Sequence, residues 1–341
     1  MRRRREESSM IRRSATLVLA IAIVLMFVPI PGPAGASGLA AHHRRVIAPK
    51  SGTLLGAHVD TRPHSSIYAE KADITALESA MGRRLAIDHH FYPWLSPFPT
   101  WREVWDRRHG RVPMDTWNGA TSASINDGSF DALIAARAAK VRSFRRPILI
   151  RLLPEMDAIV KTSITGTPAQ FIAAWRHVVR IFRARGARNA RWVWCPNAFH
   201  FADHVAQRYY PGDAYVSWTC ADGYNWSPRT PSGATTTRWT SFHDEFASYY
   251  RWASRRGKPI VVGETGAQEY PGMPGRKAEW IQGMGSAIRH RFPKVKALLW
   301  FDAIGGSNQG SLSFNWRLNT SAAALHAWVR LGRLAWFRPR H

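Results

Sequence analysis

The sequence predicts an α/β protein, a single-domain (β/α)8 TIM barrel, on three observations. Short apolar runs alternate with longer amphipathic segments eight times from Leu54 onward. Several of those runs are apolar almost throughout, as strands covered on both faces are. Two of the ten glutamates in the chain stand just after such runs, where a parallel barrel carries its chemistry. Repeated strand–helix alternation of this kind closes a parallel sheet on itself inside a ring of helices.

The expected strands are Leu54–His58, Leu85–His89, Val112–Thr116, Ile148–Leu153, Arg191–Cys195, Ala214–Ala221, Pro259–Gly263 and Ala297–Phe301. Between them, Pro168–Ala184 is the clearest helix. Its residues Phe171, Ile172, Trp175, Val178, Val179 and Phe182 share one face. Thr167 reads as the N-cap, Pro168 as the first helical residue and Gln170 as the reciprocal capping-box residue; Gly186 ends it. Further helices are expected at Asp73–Met81, Phe130–Phe144, Phe242–Arg256, Lys277–Arg291 and Ala322–Trp336, with weaker ones near Trp101–Arg107 and Phe201–Gln207.

Composition bounds the function. The chain has 341 residues, 45% of them hydrophobic and 16 of them Trp, which excludes a disordered, collagen-like or small disulfide-stapled protein. A formal charge of +25 invites a nucleic-acid reading. The arginines are instead spread over the outer faces of most helices, without the basic stripe and interleaved aromatics that nucleic-acid binding needs. No nucleic-acid partner is expected.

Residues 1–36 read as a signal peptide. Six Arg in the first thirteen residues precede an apolar run, Ala15–Ile30, and then Pro31-Gly32-Pro33-Ala34-Gly35-Ala36. An uncleaved N-terminal anchor is the alternative. Residues 37–52 read as a basic flexible linker, 53–337 as the catalytic barrel and 338–341 as a tail. The expected product is a secreted or surface-tethered monomer that keeps a charge near +21 after cleavage at Ala36. That charge would hold it on anionic cell-surface polymers.

The two glutamates carry the chemistry. Glu155 follows Pro147–Pro154, the fourth run, and Glu264 follows Pro259–Gly263, the seventh. One such residue alone could merely cap a loop; a pair facing each other across a barrel mouth can cleave a glycosidic bond with retention. One carboxylate attacks the anomeric carbon. The other protonates the leaving oxygen and then activates water, which requires a separation of about 5–5.5 Å. Arg151, four residues before Glu155, is placed by strand alternation on the same face, where a guanidinium helps to keep a glutamate ionised.

Four segments resemble glycoside hydrolase family 26: Ile150-Arg151-Leu152-Leu153-Pro154-Glu155-Met156-Asp157, Trp192-Val193-Trp194-Cys195-Pro196-Asn197, Asp222-Gly223-Tyr224-Asn225-Trp226 and Lys258-Pro259-Ile260-Val261-Val262-Gly263-Glu264-Thr265-Gly266. That family is best known for endo-β-mannanases, with members acting on mixed-linkage β-glucan or β-1,3-xylan. The resemblance implies Glu155 as acid/base, Glu264 as nucleophile, Tyr224 as the nucleophile's hydrogen-bond partner and Trp300 as the aromatic platform under the sugar. The chain departs from the family around the acid/base. Pro154 replaces the usual His, and Asp157, Ala158, Ile159 and Val160 replace an Asn-Gly pair and a following aromatic. Those are positions that contact sugar or position the acid, whereas the two-glutamate chemistry is intact.

His58, His89, His90, Asn197, Trp226 and Asp302 complete the candidate sugar contacts, since sugars offer CH faces to aromatic rings and hydroxyls to polar groups. Asp302 serves equally well as a loop cap. Asp88, His89 and His90 contain metal-ligand types, but neighbours on a strand face opposite ways, so no metal and no cofactor are expected. Cys195 and Cys220 fall on adjacent strands; they form a disulfide if the registers align and are otherwise two buried thiols. The expected activity is therefore a secreted retaining hydrolase cutting internal β-linkages of a β-mannan-like or related polysaccharide. The alternatives are a carbohydrate-binding barrel with impaired catalysis, and a β-glucanase or exopolysaccharide hydrolase of the same fold.

Overall fold

The computed structural model describes residues 48–60, 67–230, 232–306 and 313–339. The expected signal peptide and residues 37–47 of the expected linker lie outside the described residues. Among those described, no helix is long and apolar enough to cross a membrane.

Eight parallel strands close into a barrel: β1 (Leu54–Asp60), β2 (Ile87–Pro93), β3 (Val112–Asn118), β4 (Ile148–Leu152), β5 (Ala190–Trp194), β6 (Trp218–Asn225), β7 (Ile260–Ala267) and β8 (Val295–Gly306). Each pairs with the next, and β1 pairs with β8 over seven residues to complete the ring. The (β/α)8 expectation therefore holds. Seven helices of a helical turn or more in the expected places surround the described barrel: α1 (Ile67–Met81), α2 (Trp101–Arg108), α3 (Asp131–Phe144), α4 (Pro168–Ala184), α5 (Phe242–Ala253), α6 (Arg276–His290) and α7 (Ala322–Arg333). Thr167 and Gln170 cap α4 reciprocally, with Pro168 in its first turn. A short strand, β9 (Ser313–Asn315), pairs antiparallel with the end of β8.

The expected helix at 201–207 does not form. Three short 3-10 turns, Phe199–Phe201, Ala206–Tyr209 and Asp213–Tyr215, bridge β5 and β6 instead. Asp203 accepts from the Val205 amide and His204 takes a left-handed φ of 64°, a local turn that competes with helix.

Two apolar layers follow from strand alternation. Leu54, Ile87, Met114, Leu149, Val193, Trp218, Val261, Ala297 and Leu299 point into the barrel with both cysteines. Their neighbours on each strand, among them Leu55, Ile150, Trp192, Trp194, Leu298 and Trp300, point outward against the helices. The barrel interior is thus plugged with apolar side chains up to the level of Cys195 and Leu299, and every inward position above that level lies at the catalytic end.

Candidate active site

The inward positions above the apolar plug are polar. His58 on β1, His89 on β2, Thr116 on β3, Arg151 on β4 and Asp222 and Tyr224 on β6 stand there with Glu264 on β7. Arg151 is 1% exposed and is the hub. It donates to Glu264 Oε1 from Nη1 and to Asp222 Oδ2 from Nη2, and Nη1 also donates to Thr116 Oγ1 at 3.3 Å. Tyr224 donates its hydroxyl to the other oxygen of Glu264 at 2.6 Å.

This cage decides which groups are charged. Burial alone would raise the Glu264 carboxyl, but Arg151 beside it and the Tyr224 hydroxyl hold it below the ordinary glutamate value. Burial pushes Asp222 well above the ordinary aspartate value despite Arg151. It likewise pushes Tyr224 well up, reinforced by the charge of Glu264, so the phenol stays a donor. Burial lowers both His58 and His89, which remain neutral beside the guanidinium.

Glu264 faces inward because β7 is bulged. Val261 points into the barrel and Val262 out, so strict alternation would turn Glu264 outward with Val262. Ala221 of β6 pairs with Val262 and the next residue, Asp222, pairs with Glu264, leaving Gly263 as an extra residue. The bulge re-aims the glutamate into the cage. A Cβ on Gly263 would collide with Cys220 Sγ and come within 2.7 Å of Cys195 Sγ, so glycine is required there.

Glu155 reaches the site differently from the strand alternation expected for it. Strand β4 ends at Leu152, after which Leu153 and Glu155 take left-handed φ values of 41° and 52°. Left-handed backbone costs a residue with a Cβ roughly 1–2 kcal/mol and is found where the surroundings impose it. Here Leu153 N donates to Trp117 O and Glu155 N to Cys195 O, at 2.9 and 2.8 Å. The Glu155 side chain is 27% exposed, and Lys161 Nζ donates to its Oε2 at 2.8 Å.

A cavity of about 440 Å³ adjoins the cage, lined by His58, His89, Phe91 and Phe301 at its inner end and by Trp101, Trp105 and Arg102 at its outer end. His58 Nδ1 lies 2.9 Å from His89 O, and its ring packs between Phe91 and Phe301. His89 Nε2 lies 2.7 Å from Thr116 Oγ1. His90 points away from the barrel axis, its Nε2 2.7 Å from Asp106 Oδ2 of α2, and borders only the outer part of the cavity.

Two expected sugar contacts, Trp300 and Asp302, need correction. Trp300 is fully buried: it points outward, packs between Trp280 and Trp328 and donates to Trp316 O, so it cannot form the platform. Phe301, one residue on, takes the inward position. Asp302 is 3% exposed and accepts from the Leu318 amide at 2.6 Å, so it caps the turn before α7. Asn197 donates its side-chain and backbone N–H to Asp157, which ties the β5 loop to the segment after Glu155. Trp226 lies half-buried beyond β6 against Tyr224, Phe314 and Trp316. Cys195 and Cys220 are joined by a disulfide. Asp222 and Lys161 were not expected; Asp222 lies two residues before Tyr224 and therefore on the same strand face.

A profile of glycosyl hydrolase family 26 matches residues 114–236. Endoglucanase H of Acetivibrio thermocellus is 33% identical over 291 residues, which is 82% of this chain and 30% of that protein. The chain is a relative of family 26. It spans less than a third of the length of that curated relative. Solved structures agree in fold. A family 26 β-mannanase from Bacteroides ovatus superposes with a TM-score of 0.58 at 14% identity, covering 83% of this chain and 89% of that one. The catalytic domain of a family 26 endo-β-1,4-mannanase from Bacillus sp. JAMB-750 gives 0.57 at 17% identity, covering 84% and 86%.

Proposed function

We propose that the protein is a retaining glycoside hydrolase that cuts internal β-linkages of a polysaccharide, with Glu264 as nucleophile and Glu155 as acid/base. One observation supports the assignment of roles: Glu264 is clamped between Arg151 and Tyr224, which keeps it ionised, while Glu155 stands partly exposed beyond the end of β4 beside Lys161. In the first step Glu264 attacks the anomeric carbon as Glu155 gives its proton to the leaving oxygen. Lys161 then faces the carboxylate formed on Glu155, which in the second step takes a proton from a water as that water's oxygen attacks the anomeric carbon and displaces the Glu264 carboxylate.

The substrate is a β-glucan or β-mannan. The name of the A. thermocellus relative favours glucan, and so does the altered segment Pro154–Val160 where the family's mannan-associated residues stand. The disulfide fits an exported protein, and the charge of +25 fits retention on anionic surface polymers that salt would release.

The test is reducing-end release from mixed-linkage β-glucan, mannan and xylan, with product anomers followed by proton NMR. Retention is expected, and each of Glu264→Ala and Glu155→Ala should lose about 10²–10⁴-fold in kcat. With azide, Glu264→Ala should form the α-glycosyl azide and Glu155→Ala the β-azide. Inverted products from the wild type, or azide products of the opposite assignment, would sink the reading.

A further inference from the structure

We propose that the Cys195–Cys220 disulfide positions both glutamates, acting as a shared footing for the acid/base turn and the nucleophile bulge. The inference rests on the reading of Glu155 and Glu264 as the reacting pair. Both cysteines are fully buried inside the barrel, directly beneath the polar layer.

The β5–β6 seam explains why a covalent link sits there. Its register holds only two pairs, Val193 with Trp218 and Trp194 with Thr219, whereas β6 and β7 match over seven. Above those two pairs the strands meet again only at the isolated bridge between Asn197 and Asp222. The disulfide closes the interval between the last ladder pair and that bridge, on the very stretch of β5 and β6 that serves the site.

Each half of the crosslink touches one side of the chemistry. The Cys195 carbonyl accepts from the Glu155 amide at 2.8 Å and so anchors the left-handed turn. Cys195 Sγ lies 3.1 Å from Asp222 Oδ1, and Asp222 shares Arg151 with Glu264. Cys220 Sγ lies against Gly263, the extra residue that turns Glu264 inward. A bond serving stability alone has no need to contact the anchors of both carboxylates. Cys195 and Cys220 are positioning residues: they touch no substrate and act through Glu155, Asp222 and Gly263.

The experiment is a cycle in the full chain: Cys195→Ala/Cys220→Ala, Gly263→Ala, and the three together. The cysteine pair variant should lose about 10- to 100-fold in kcat, the scale expected when reacting groups shift by an ångström. KM should stay within a factor of two, and both limbs of the pH–rate profile should move. Gly263→Ala should be comparably harmful in the bonded chain, because its methyl meets the sulfurs. In the triple variant that penalty should shrink, since the methyl takes the space the sulfurs leave and still meets Asp222 Oδ1, at 2.9 Å. An unchanged kcat and pH profile, or a Gly263→Ala penalty that is the same with and without the sulfurs, would overturn the proposal.

If the cysteine variant does not fold, Gly263→Ala alone decides, with full activity counting against the proposal. If the wild type cleaves no glycan, the functional reading fails, and amide exchange at Glu155 still decides the footing: protection lost in the cysteine variant supports it, and unchanged protection refutes it.

Discussion

The Glu264 side chain is 11% exposed, sits within a strand and has both carboxyl oxygens bonded, whereas the Glu155 side chain is 27% exposed, stands beyond the end of its strand and is met by one lysine. The two ends of β4 and β7 thus supply chemically identical groups by opposite means. At β7 a bulge and a buried guanidinium fix the charge and the direction of the carboxylate together. At β4 a left-handed turn fixes direction alone and leaves the carboxyl near solvent, where a proton can come and go. On the proposed roles, residue type does not divide the labour between an attacking group and a proton carrier; the support beneath each one does.

Removing the support beneath Glu264 should have the largest effect. Arg151→Met leaves Glu264 and Asp222 without their shared cation, and breaking a buried ion network of this kind costs about 3–5 kcal/mol. Urea unfolding should register that loss, and the acidic limb of the rate profile should move to higher pH as Glu264 loses its clamp. Arg151→Lys should restore little, because a single ammonium cannot present two nitrogens to two carboxylates. Near wild-type stability in Arg151→Met would erase the proposed contrast between the two ends.

Removing the support beneath Glu155 should do far less. Lys161→Met deletes a partly exposed ion pair worth about 0–1 kcal/mol, which caps the change in kcat at roughly fivefold. A loss on the scale of the Arg151 variant would show that the two glutamates are held with comparable rigidity.

The smallest effect separates the neutral histidines from the clamped carboxylate by pH. His58 and His89 have native values below 6.5 because burial disfavours their charged forms. Their contribution to stability is complete above that value and is lost as pH falls through it, because the unfolded chain binds the protons first. Glu264, also lowered, contributes above 4.5 and loses its contribution only at lower pH. The unfolding free energy should therefore decline first between about pH 7 and 5, and His89→Gln should flatten that part of the curve. An unchanged slope in His89→Gln would assign the acid sensitivity elsewhere.

Much of this was legible in the sequence, and the remainder failed for definite physical reasons. The eight apolar runs and the capped helix at Pro168–Ala184 were clear because burial and capping leave local marks. Trp300 was misplaced because Leu298, Leu299 and Trp300 are all apolar; a strand buried on both faces carries no alternation from which to read its inward side. The bulge at Gly263 and the turn at Leu153–Glu155 depend on the register with β6 and on a carbonyl of β5, partners distant in the chain. Asp222 was hidden differently. It sits in a segment whose family resemblance drew attention to Tyr224, although both share a face two residues apart. The turns that replace a helix after β5 follow from Asp203, whose side chain satisfies a backbone amide more cheaply than a helix would.

The segment after Glu155 has a consequence of another kind. Ile159 and Val160 are 85% and 51% exposed, and the short helix Thr162–Thr165 that follows is mostly exposed as well. Apart from Lys161, nothing in this stretch supports the reacting groups. Its side chains face solvent rather than the Arg151–Glu264 cage, so changes of length or composition here leave that cage in place. On the proposed reading, this stretch is the part of the chain most open to alteration without loss of the fold.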